Sequence, residues 1–186
     1  MKHFNHLAAT ATLAFAGLFA ASTAQAANIA VDVSGAQSIN LLGEAGNTVW
    51  LVDIGANAVL NSLDWSVTLT AFAPSSLSEM QVSFGSSNGP AFTFAPDAAD
   101  GFSGSGSYIG SLNLTGLGIA ANPDGKLRIE FSEQFKDLAP GVAEGQWVSG
   151  NLTFGVTAAA VPEPSQAALA VLGLALVAGA RRMRRG

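Results

Sequence analysis

From Ser62 to Phe72 the chain alternates without a break: Leu63, Trp65, Val67, Leu69 and Ala71 on one side, Asp64, Ser66, Thr68 and Thr70 on the other. Only an extended strand, whose successive side chains point to opposite faces, sorts such a run into one apolar and one polar face. Lys126-Leu127-Arg128-Ile129-Glu130-Phe131 repeats the pattern with its charges outward, on a solvated face, and Met80, Val82 and Phe84 alternate as well. Further strands are predicted at Ile29–Val33, Thr48–Ile54, Ala91–Phe94, Ser107–Leu114 and Trp147–Val156. Thr48–Ile54 is nearly continuous apolar, which predicts a central strand buried on both faces. Turn signals divide the runs, at Gly43 to Asn47, Asn88-Gly89-Pro90, Asn122-Pro123-Asp124-Gly125 and Pro140-Gly141. No segment of the body sustains a helical period. The pattern predicts an all-β fold, a single β-sandwich of about eight strands, jelly-roll or Ig-like in outline. Two stretches read as irregular. Residues 84–106, rich in Gly, Ser and Asp, are expected as a long exposed excursion, and 132–144 as a loop with one short helical turn around Glu133–Lys136.

The two ends read differently. Met1-Lys2-His3 is a short basic start, Leu7 to Ala21 an apolar run, and Ala24-Gln25-Ala26 the small-x-small pattern a signal peptidase requires. Residues 1–26 are thus expected to be a signal peptide, cut after Ala26. At the other end, Val161-Pro162-Glu163-Pro164-Ser165 is an extended, non-helical strip, because Pro164 has no N–H and each proline biases the residue before it away from helix. Gln166 to Ala180 is uncharged and apolar. As a helix it would span roughly 22 Å, a little short of a ~30 Å hydrocarbon core, a mismatch that bilayer thinning and snorkelling arginines relieve. Arg181, Arg182, Arg184 and Arg185 follow, and the positive-inside rule keeps them cytoplasmic. The body then lies outside the membrane, the orientation the leader also gives.

This tripartite tail resembles the PEP-CTERM sorting signal of Gram-negative bacteria that make extracellular polysaccharide. The resemblance covers the tail alone. It implies handling by exosortase, with Pro162, Glu163 and Pro164 as the recognition box and cleavage close by. It also implies passage through the inner membrane on the way to the cell surface or extracellular matrix. The expected organisation is therefore a signal peptide (1–26), an extracytoplasmic β-sandwich (27–158) and a sorting tail (159–186) with its box at 162–164, transmembrane helix at 166–180 and arginine cluster at 181–185.

The residue inventory of the body narrows its chemistry. Its 12 acidic residues stand against Lys126, Arg128 and Lys136, a net −9 within a chain of net −5, which repels nucleic acid and anionic lipid surfaces. There is no cysteine, and both histidines, His3 and His6, fall in the leader. Thiol nucleophiles, Cys or His metal sites and histidine-based triads are thereby excluded from the body. Hydrolysis by paired carboxylates survives, with Asp53 and Asp64, or Glu130 and Glu133, as the available pairs. No cofactor is expected. Calcium is a weak candidate at Asp97 and Asp100, two carboxylates beside Gly101, but the spacing is not that of an EF-hand loop.

A sandwich can also hold sugars on aromatic platforms. Trp65 shares a face with Leu63 and Val67, and Trp50 lies in an apolar run, so both read as core, and Tyr108 is available; Trp147, after Glu144-Gly145-Gln146 at a strand start, is the best placed of the three for exposure and the ligand candidate, although for each of them the core reading comes first. The function these features imply is an exported, non-catalytic module of the cell surface or exopolysaccharide (biofilm) matrix. The alternatives are a secreted carboxylate-dependent glycan hydrolase and a structural subunit that self-associates through its strand edges.

Overall fold

The computed structural model describes residues 26–159 and residue 173. The expected leader residues through Gln25, including Ala24, and the sorting residues Pro162, Glu163, Pro164, Arg181, Arg182, Arg184 and Arg185 lie outside the described residues, as does most of the segment 166–180. Among the described residues no helix is long and apolar enough to cross a membrane.

Nine strands form the body: β1 (Ala26–Asp32), β2 (Gln37–Ser38), β3 (Thr48–Asp53), β4 (Val59–Ala71), β5 (Met80–Ser86), β6 (Phe92–Phe94), β7 (Gly104–Asn113), β8 (Lys126–Glu133) and β9 (Gly145–Thr157). They pair antiparallel into two sheets. Sheet I has the order β1-β9-β4-β7, with β2 added to β9, and sheet II the order β3-β8-β5-β6. Phe84 of β5 meets Phe154 of β9 edge to face with ring centroids 5.2 Å apart, and Phe131 of β8 meets Trp147 of β9 at 5.0 Å. The inner faces of the two sheets thus share one core, a two-layer all-β sandwich.

β4 follows the alternation of its sequence. Leu60, Leu63, Val67, Leu69 and Ala71 are buried, while Asp64 and Ser66 face solvent. The turn before β8 is closed by Gly125 N donating to Asn122 O at 2.9 Å, and Gly125 holds φ 72°, a conformation that suits glycine.

Three expectations are corrected. Thr48–Ile54 is not a central strand: β3 forms the edge of sheet II, and Val49 and Leu51 on its outer side are 41% and 60% exposed. A continuous apolar run satisfies either position, and here Trp50 and Val52, with Ile54 just beyond the strand, are the ones that turn toward the core. Residues 84–106 are not one excursion, since β6 and the start of β7 lie within them. Glu133–Lys136 contains no helical turn; Glu133 completes β8, and within residues 26–159 the one helical turn is a 3₁₀ turn at Leu77–Glu79.

The chain enters and leaves the sandwich at one place. Ala26 and Thr157 are cross-strand partners at one end of sheet I. That end is called the near pole below. The far pole is where β8 ends and β9 begins.

Candidate functional site

The outer face of sheet I is built from alternate residues of its inner strands. β4 presents Asp64, Ser66, Thr68 and Thr70; across from them β7 presents Ser111, Ile109, Ser107 and Ser105 in register. On the other side β9 presents Thr153, Asn151 and Ser149 opposite Asp64, Ser66 and Thr68. Thr68 and Ser107 hydroxyls lie 2.9 Å apart and those of Thr70 and Ser105 2.7 Å, so one part of the face is a hydrogen-bonded ladder. Ser66, Ser111, Asn151 and Thr153 make no side-chain hydrogen bond among the described residues. These four, with Asp64 and Ile109, line a shallow groove of about 550 Å³. A smaller depression of about 270 Å³ adjoins it over Thr68, Ser107 and Ser149.

Flatness comes from glycine. At Gly150, with φ 111°, a Cβ would stand 2.1 Å from Ser66 O, so only glycine lets β9 approach β4 this closely. At Gly110 of β7 a Cβ would meet the indole of Trp65, its cross-strand partner, at 2.2 Å. Trp65 therefore lies beneath β7 on the inner side, against Phe94 at a centroid distance of 4.9 Å. Tyr108 covers Gly106 in the same way. Both rings face inward, and no aromatic side chain lines the groove or the smaller depression except Trp65 and Tyr108 through the strand itself.

The far pole holds the buried charges. Glu130 and Glu133 are each 1% exposed. Glu130 was expected on a solvated face; instead the 39–47 loop lies over it, Gly43 N and Asn47 Nδ2 donating to Oε1 at 2.7 and 2.8 Å. Arg128 Nη1 sits 2.6 Å from Oε2. Burial pushes its pKa up, but Asn47, Gly43 and Arg128 together hold it below the ordinary carboxylate range. Glu133 has neither oxygen hydrogen-bonded. Burial, then the negative charges of Glu144 and Glu79, push its pKa up to about 8, against a smaller downward pull from Ser38 and Lys136. At neutral pH Glu133 is a neutral acid. Glu144, fully buried, is also pushed up by burial, yet Lys136 Nζ at 2.7 Å and the amides of Leu138 and Asp137 bring it below its ordinary value.

The carboxylate pairs read from sequence are not brought together. Glu130 and Glu133 are three residues apart on one strand, and an odd separation places them on opposite faces. Asp53 is on β3 in sheet II, ion-paired with Lys126 at 3.0 Å, whereas Asp64 is on β4 in sheet I. Asp64 is the one carboxylate lining the groove.

Trp147 is not exposed. It is 0% accessible, because its indole turns inward against Phe131 of β8, while β2 pairs beside the start of β9 and Gly35 N and Ala36 O bond to the Trp147 backbone at 2.8 Å each. Its Nε1 donates to Ser38 Oγ at 3.3 Å. Trp50 and Trp65 are partly buried and pack against the core. Asp97 accepts from the backbone N–H of Ala99 and Asp100 at 3.1 and 2.8 Å, and Asp100 accepts from Tyr108 Oη at 2.8 Å. Tyr108 is held well above its ordinary pKa by burial and by Asp100 and Asp97. Among the described residues no three acidic or histidine side chains gather so as to hold a metal ion.

Sequence reasoning found the alternation that builds the outer face but not the face as a site. The signal was there in the polar set Asp64, Ser66, Thr68, Thr70 and in the Gly/Ser alternation of residues 104–107, yet only strand pairing shows that they adjoin.

No protein-family profile matches the chain, and no curated protein matches it. Among solved structures it is similar to dimeric latent PorU from Porphyromonas gingivalis, with 11% identity and TM-score 0.37 over 76% of this chain and 14% of that one. Structures of infectious bursal disease virus Gx and Gt strains align with 13% and 11% identity and TM-scores of 0.33 and 0.34. They cover 72% and 81% of this chain but only 32% and 36% of theirs. The chain spans a minor part of each, and likenesses this weak carry no functional argument.

Proposed function

We propose that the chain is the precursor of a non-catalytic module of the cell surface or extracellular matrix, and that its outer sheet I face holds neutral segments of exopolysaccharide. The observation that supports this reading is the groove itself: unengaged hydroxyl and amide groups on Ser66, Ser111, Asn151 and Thr153 around one carboxylate. Strands ~4.8 Å apart, with same-face residues ~6.8 Å apart along each, offer a flat two-dimensional array of donors and acceptors. Polyhydroxylated chains suit such an array. A glycosidase needs two carboxylates about 5–9.5 Å apart, and Asp64 stands alone in the groove. The same outer face is charge-poor although the body is acidic, so a neutral glycan meets little competing field.

In this reading signal peptidase cuts after Ala26, and exosortase acts on the 162–164 box once the 166–180 helix and Arg181–Arg185 have held the chain in the inner membrane. The pairing of Ala26 with Thr157 suits it, since leader and tail leave the body from one pole. The strand orders β1-β9-β4-β7 and β3-β8-β5-β6 favour a jelly roll over the Ig-like alternative, whose sheets are composed differently.

Electrophoresis through gels containing the host's own exopolysaccharide tests the binding. Retardation is expected for the wild type and is expected to fall at least tenfold for Ser66→Ala/Asn151→Ala. Sorting is tested separately, by mass spectrometry of the mature C-terminus with and without exosortase. Retention of Arg181–Arg185 in both strains refutes it.

A further inference from the structure

The edge strands differ in how they are protected. β6 is three residues long, and a short edge offers little to pair with. β3 ends at the Asp53–Lys126 ion pair, and at its other end Thr48 Oγ1 accepts from Gln37 N at 3.0 Å. β1 ends on Asp32. β7 has none of these devices. It runs for ten residues, Gly104–Asn113, without a charge or a proline. Among the described residues its backbone bonds only to β4, which leaves the N–H and C=O groups of its far side open. A long, flat, uncharged edge is a template for another strand. Midway along it, on the outer face, Ile109 is 85% exposed, the most of any large apolar side chain described.

We propose that β7 is the pairing edge for a second copy of this chain, antiparallel, with a two-fold axis at Ile109. A two-fold perpendicular to the sheet keeps the outer face outward, so opposed residues must both be odd or both even in number. Centring on Ile109 meets that condition and sets it beside Ile109 of the second copy, each covering the other. Ser107 then faces Ser111 of the second copy, and Ser105 faces Asn113, so the Thr68–Ser107 and Thr70–Ser105 rows continue across the joint. On the inner side Gly110 falls opposite Tyr108 and Gly106 opposite Leu112, so no two bulky side chains collide. No charged residue opposes another, which matters for a body of net −9. Sheet I becomes one continuous sheet of ten strands, five from each copy, with two grooves on one face. Edge, parity and charge favour this pairing whatever the grooves hold.

The chain has no cysteine, so introduced thiols report without background. Directly opposed residues have Cα atoms ~4.5–5.5 Å apart, within the roughly 4.4–6.8 Å of a disulfide. In the full chain, in solubilised membranes and without polysaccharide, Ile109→Cys is expected to form a linked dimer at least tenfold faster than Leu51→Cys on β3 or Ala30→Cys on β1. Separate populations carrying Ser107→Cys and Ser111→Cys should link to each other and neither to itself. Sedimentation of Ile109→Lys should show a single copy where the wild type shows two. Equal rates at the three positions, or a wild type that sediments as one copy at every concentration, overturns the proposal; self-linking of Ser107→Cys overturns the register. Because no glycan is present, such a failure is distinguishable from failure of polysaccharide binding.

Discussion

The outer face of sheet I and the far pole both gather polar side chains, and they treat them oppositely. On the outer face, hydroxyls and amides stand open in a shallow groove with Asp64 as its lone charge. At the far pole, Glu130, Glu133 and Glu144 are withdrawn from solvent beneath loops. Burying an acid is costly, and each one here meets the cost differently: Glu130 by an arginine and two donors, Glu144 by a lysine and two amides, Glu133 by keeping its proton. Polar content alone does not mark a site. What marks the groove of the outer face is that its polar groups are unspent, whereas those of the pole are mostly consumed in holding the 39–47 and 134–144 loops down.

The largest expected loss of stability comes from removing the wall behind the pole. Trp147→Ala should cost about 3–5 kcal/mol, read by urea unfolding, while leaving any groove binding of the folded fraction unchanged. A cost below 1 kcal/mol would mean that Trp147 is not the buried anchor of β9. Next is Glu130→Ala, which strands the Arg128 guanidinium and the Gly43 and Asn47 donors; about 2–3 kcal/mol is expected after allowing for the partial exposure of Arg128.

Glu133 gives a pH signature of its own. Its carboxyl titrates near 4.5 when unfolded and at about 8 when folded, so the folded state binds the extra proton between those values. Its contribution is full below pH 4.5, declines as pH rises through that window, and is gone above about 8. Glu133→Gln should remove this slope and leave the protein more stable than wild type at pH 9 by on the order of 5 kcal/mol. Identical pH profiles for the two proteins would place the proton elsewhere. The smallest stability effect belongs to the outer face: Ser66→Ala/Asn151→Ala should shift unfolding by under about 0.5 kcal/mol per site while weakening glycan retention. If it unfolds the protein instead, the face is structural and the contrast with the pole disappears.

Much of the fold was legible because β4 writes its own geometry: Leu63, Val67, Leu69 and Ala71 are inward by parity alone, and all are buried. What the sequence withheld was which strand lies at an edge and which loop lies over which face. Val49 and Leu51 look like the interior of a central strand until β3 is seen to have one neighbour. Glu130 looks solvated until Gly43 and Asn47, some 85 residues distant, close over it. Trp147 looks like a strand mouth until the two-residue β2 pairs there. Each of these is a long-range contact with no local periodicity to announce it. The groove was half legible in the same sense, since its residue types were visible on β4 but its walls on β7 and β9 were not.

We propose that the outer face of sheet I, and not the acidic pole, is where the body meets its ligand. The direct measurement is gel retardation of the wild type, Ser66→Ala/Asn151→Ala and Glu133→Gln by the host's own exopolysaccharide at matched folded concentration. The wild type and Glu133→Gln should be retarded alike, and the face variant should run free. Equal retardation of all three, or none of the wild type, contradicts this proposal.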